Sequence, residues 1–179
     1  MNSLTIIALM VGTVLIVVGG LGLFVPETFG RALTGFPRHR ASAILLTLVN
    51  VLWVAWILYS MSLGRFEWVK AYIWLIAPGA LLAIIFFMDE LLAPRMLGGF
   101  LLLAAGPALD IARWNPSGWR LVLTTLVYVW IVWAMILVLS PYRFRHTVEW
   151  VLARKNGAPL FGGLLGLGAL LVVLAVAVY

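Results

Sequence analysis

The chain has 179 residues, of which 65% are hydrophobic and only 10% charged, with a formal net charge of +6. A water-soluble domain carries about 25% charged residues, so this composition excludes a soluble fold, and the mean hydropathy of +1.14 points to a polytopic membrane protein. The apolar runs are continuous over about 20 residues instead of alternating at period two, which excludes a β-barrel.

The Lys and Arg residues sit between the apolar runs. They therefore fit membrane orientation and contact with anionic lipid headgroups, not nucleic acid. The absence of cysteine removes disulfides, iron–sulfur clusters and thiolate metal sites. Both histidines, His39 and His146, fall in connections, which argues against a haem ligated at mid-depth. The residues identify no cofactor.

In chain order, the first apolar run covers 4–24, and its Gly12, Gly19, Gly20 and Gly22 leave room for a second helix to approach closely. It lacks a basic start and a small-residue cleavage pattern, so it reads as a retained helix and not as a signal peptide. Pro26 ends it, and 27–36 form a short amphipathic segment. The second span covers 41–63, with Asn50 at its centre, and the third covers 68–88, with Pro78-Gly79 predicting a kink. The fourth, 96–111, reads as short and broken by Gly106-Pro107, and is expected to be tilted, kinked or partly re-entrant. A turn across Asn115-Pro116 leads to the fifth span, 121–139, and the sixth covers 160–179.

Between the fifth and sixth spans lies a second amphipathic segment. At 100° per residue Phe144, Val148, Val151 and Leu152 share one face, while Arg143, Arg145, His146 and Glu149 occupy the other. This is the pattern of a basic helix in a membrane interface. Pro26, Phe29, Leu33 and Phe36 match Pro141, Phe144, Val148 and Val151 at a separation of 115 residues (26 to 141). Pro37, Pro94 and Pro159 each introduce an even-numbered span and are soon followed by small residues. The expected architecture is thus all-α: about six transmembrane helices in three tandem helical hairpins (1–63, 64–113 and 114–179) with basic amphipathic interfacial segments.

Arg31, Arg38, Arg40, Arg95, Arg143, Arg145, Arg154 and Lys155 follow odd-numbered spans, whereas Arg65, Lys70, Arg113 and Arg120 follow even-numbered ones. The bias predicts cytoplasmic odd connections and both termini outside, periplasmic if the membrane is a bacterial inner membrane.

Few residues offer chemistry. Asn50 could line a path or hydrogen-bond a neighbouring helix. Asp89 and Glu90 could share a proton or hold a cation, although adjacent helical acids point about 100° apart. Asp110 and Arg113, at i, i+3, could hold a headgroup or a partner's loop, or simply form a local ion pair. Arg38, Arg40, Arg143, Arg145, Arg154 and Lys155 are expected to meet lipid headgroups, and Gly98, Gly99, Gly162 and Gly166 to serve helix packing. The aromatic groups around Trp53 and Trp56, Trp68 and Tyr72, and Trp130 and Trp133 could line a hydrophobic pocket or pack against helices and lipid. No HExxH, GxSxG, phosphate loop or dinucleotide turn occurs in the sequence.

The expectation is therefore a non-enzymatic accessory or scaffold subunit that packs with other membrane proteins, or with further copies of itself, within the bilayer. A small transporter, channel or carrier for a lipid or small hydrophobic molecule is the alternative.

Overall fold

The computed structural model describes residues 3–87, 91–114, 118, 120–153 and 157–177. Among them the chain forms eight α-helices and two 3-10 stretches. Helix α1 (Ser3–Phe24) is followed by the short α2 (Pro26–Gly35), a 3-10 turn (Phe36–Arg38) and α3 (Arg40–Ser60). A 3-10 stretch (Gly64–Tyr72) leads into α4 (Ile73–Phe87), and α5 spans Leu92–Arg113. Then come α6 (Arg120–Leu139), α7 (Tyr142–Ala153) and α8 (Gly157–Ala177).

Five stretches are long and apolar enough to cross a membrane: Thr5–Phe24, Arg40–Ser60, Gly64–Phe87, Leu92–Arg113 and Arg120–Leu139. The chain is a multi-pass integral membrane protein. In α8 the apolar part, Pro159–Ala175, is shorter than these.

Two boundaries differ from those expected. The third span does not begin as an α-helix at 68. Gly64, at φ +54°, opens a 3-10 stretch that becomes α-helical only at Ile73. The fourth span is neither short nor broken, since α5 runs unbroken for 22 residues through Pro107. Pro107 removes one backbone donor, but it and Gly106 lie on an exposed face, and α3 and α6 pack along the same helix. With 33% of its apolar window buried, against 6% for the stretch that contains α4, α5 is the most enclosed span.

The most extensive packing joins α1 to α8, followed by α5 to α6 and α3 to α5. These partners come from different members of the expected three-hairpin division. Helix α5 lies between α3 and α6, and its Ala105, Ala108 and Ala112 pack with Leu123 and Val127 of α6. Alanines let the two backbones approach, and in lipid such dispersion contacts carry helix association.

Burial extends the 115-residue match into two of the spans. Ala8, Gly12, Gly19 and Gly22 are buried in α1, and the positions 115 residues later (8 to 123) are Leu123, Val127, Ala134 and Leu137, all buried in α6. The match of α2 to α7 at that separation thus extends to α1 and α6, whereas the buried Thr47 and Asn50 of α3 fall opposite the half-buried Gly162 and Leu165 of α8.

Candidate functional site

Pro26 starts α2, a position where its missing N–H and fixed φ are harmless. The apolar faces of α2 and α7 then turn towards one another and onto the ends of the spans. Leu33 and Phe36 pack on a buried cluster of Leu137, Phe144 and Val148. The Phe36 and Phe144 rings lie 5.6 Å apart, and Phe29 meets Phe161 edge-on at 5.8 Å. Gly30 makes the approach close, since a Cβ there would sit 3.0 Å from Leu152 Cδ2.

The polar sides of the same elements line a cleft of about 340 Å³ bearing Arg31, Arg38, Arg145 and Glu149. Arg145 Nε donates to Glu149 Oε1 at 2.7 Å, one helical turn away on an exposed face. Arg31 Nε donates to the Glu27 carbonyl at 3.4 Å. Of the expected headgroup residues, Arg38 and Arg145 line this cleft, whereas Arg40 and Arg143 are exposed outside its lining. Arg154 and Lys155 lie outside the described residues, as do Asp89 and Glu90. Beside Arg143, the Tyr142 phenol is held below its usual pKa, first by hydrogen bonding to that guanidinium and then by its charge. Sequence reasoning missed Arg31 as a ligand candidate. Its polar-face position was legible, but nothing local indicates that this face looks towards α7.

His39 is taken up structurally. Its Nδ1 accepts from the Ser42 backbone N–H at 3.2 Å while the Ser42 hydroxyl donates to the His39 carbonyl, which together cap α3. His146 is exposed on the polar face of α7.

Asn50 is buried in α3 and reaches α5, where its Nδ2 donates to the Met96 carbonyl at 2.7 Å. Its Oδ1 is buried without a partner. Gly99 sits against the same amide, and a Cβ on Gly98 would lie 2.7 Å from the Ala134 carbonyl oxygen of α6. Gly162 and Gly166 differ in having nothing within 4 Å. In α8 it is Gly168 that meets α1, facing Gly12 reciprocally, while Gly157 lies against the Val151 carbonyl of α7.

At the other end of α5 and α6, Asp110, Arg113, Arg120 and Tyr128 line an open concavity of about 500 Å³. Arg120 Nη1 donates to the Arg113 carbonyl at 3.2 Å, and the Arg113 guanidinium lies 5.7 Å from the Trp114 ring centre. Among the described residues no ion pair joins Asp110 to Arg113. Of the aromatic groups, Trp53 packs edge-on against Phe100, Trp130 Nε1 donates to the Leu101 carbonyl at 3.1 Å, and Trp68 stacks edge-on with Tyr72. Trp56, Tyr59 and Tyr128 face outward. Among the described residues no group of three or more His, Cys, Asp or Glu side chains could hold a metal ion.

Compared with protein-family models, with curated proteins and with solved structures, the chain matches none.

Proposed function

We propose that this chain is a non-enzymatic accessory or scaffold subunit that meets its partners, other membrane proteins or further copies of itself, within the bilayer. The observation that carries this reading is the division of labour among the glycines of α8. Gly168 is consumed by α1, whereas Gly162 and Gly166 leave an open small-residue face with nothing within 4 Å. A Gly-xxx-Gly face lets a second helix approach closely, and close approach drives helix association in lipid. In this reading α8 is a sixth span, the arginine-rich α2–α3 and α6–α8 connections face the cytoplasm, and both termini lie outside.

Native mass spectrometry of the protein, extracted gently from its own membrane, tests this. The expected result is a defined mass containing other chains or further copies of this one. Replacing Gly162→Leu together with Gly166→Leu should reduce that mass to the lone chain without unfolding it, because a Cβ at either position meets no other part of the chain within 4 Å. A wild-type protein that remains a single chain overturns the proposal.

The second reading is a carrier for a lipid or small hydrophobic molecule. It is favoured by the two charged concavities, which sit at opposite ends of α5 and α6. A single chain carrying one specific lipid or pigment would move the weight to it.

A further inference from the structure

We propose that the cleft between α2 and α7 binds the phosphate group of an anionic phospholipid headgroup, held by Arg31, Arg38 and Arg145. The cleft, of about 340 Å³, has these three arginines and one acid, Glu149, in its lining. They reach it from three separate pieces of chain: α2, the 3-10 turn and α7. Such convergence is a property of the tertiary structure and not of a run of like charges. Arg145 and Arg31 each spend Nε within their own helices, on Glu149 and on the Glu27 carbonyl. The terminal amino groups of both remain as donors. A planar guanidinium fork matches two oxygens of a phosphate, which an ammonium cannot do.

Position and shape favour a lipid over a free anion. Both helices turn their apolar faces onto the span ends, so their polar sides sit where a span meets the headgroup layer. Leu33 and the buried Val148 give the cleft an apolar floor. Through Arg31 and Thr34 it continues into a groove also lined by Pro26, Glu27, Gly30 and Leu152. A cleft whose arginines share its lining with Leu33 and Val148, and which continues towards Pro26 and Leu152, suits a phosphate with a glycerol and acyl chain attached. Free phosphate would use only the first part. This inference stands whether or not the chain has a protein partner.

The test uses the whole chain in nanodiscs of phosphatidylcholine doped with phosphatidylglycerol, with the retained lipid identified by native mass spectrometry. Wild type should selectively retain phosphatidylglycerol. Each Arg→Gln change at 31, 38 or 145 should weaken retention by more than the roughly fivefold contribution of any basic side chain at an anionic surface. Glu149→Gln, an exposed change that only frees Arg145, should strengthen it. Arg143→Gln, on the same helix but outside the cleft, should weaken it by no more than that general surface contribution. Equal retention of both lipids, or equal loss in Arg143→Gln and in the cleft variants, overturns the proposal. Displacement by millimolar inorganic phosphate would assign the cleft to a free oxyanion and overturn the lipid, whereas resistance to it supports the lipid.

Discussion

The side-chain amide of Asn50 donates to the backbone carbonyl of Met96 at 2.7 Å, tying α3 to the central helix α5. That bond gives the strongly polar residue near the middle of its span a partner on the neighbouring helix. Interhelical hydrogen bonds in membranes are worth about 0.6 kcal/mol on average, and the unpartnered Oδ1 subtracts from the gain. Asn50→Leu should therefore lower stability by less than about 1 kcal/mol in a detergent unfolding titration. A loss well above that would show that the amide does more than join two helices.

Glycines of identical chemistry should respond in opposite ways. A Cβ at Gly98 would meet the Ala134 carbonyl oxygen at 2.7 Å, and one at Gly19 would meet the Leu165 amide nitrogen at 2.6 Å. Neither neighbour is a flexible side-chain end, so Gly98→Ala and Gly19→Ala should each destabilise by about 1–3 kcal/mol. Gly163 has nothing within 4 Å. There Gly163→Ala should be neutral or stabilising by up to about 1 kcal/mol through helix propensity. Unfolding midpoints of the three variants in one detergent decide the matter.

Phe36 and Phe144 link the two amphipathic elements at a ring separation of 5.6 Å. A double-mutant cycle with Phe36→Leu and Phe144→Leu should return a coupling of about 0.5–1.5 kcal/mol. Additive single variants would mean that α2 and α7 are held only by their separate contacts with the spans.

The His39 imidazole caps α3 by accepting from the Ser42 amide. His39→Ala should cost about 0.5–1 kcal/mol and speed hydrogen exchange at Ser42, while His39→Asn should keep both near wild type. Unchanged exchange in the alanine variant would mean that water replaces the cap at no cost.

Much of the chain was legible one residue at a time. The long apolar runs, the end of the first of them before Pro26, and the apolar faces that contain Phe144, Val148 and Leu33 all follow from local periodicity and composition. The fourth span was misjudged because Gly106-Pro107 is a breaker in isolation. Packing by α3 and α6 on the rest of α5 outweighs the single lost backbone bond. The candidate cleft was half legible. Arg38 and Arg145 stood out as basic, but their convergence with Arg31 requires α2 and α7 to meet.

Hydropathy determined that this chain belongs in a membrane and which stretches are apolar enough to cross it, because transfer from water to hydrocarbon is a sum over individual residues. It was silent on which helix packs against which. Lipid tails are as apolar as leucine, so burying one helix on another releases no hydrophobic free energy and leaves no trace in hydropathy. Partner choice falls to shape. The first helix lies against the last because the backbone at Gly12 meets the backbone at Gly168, a fit that exists only once both surfaces are formed.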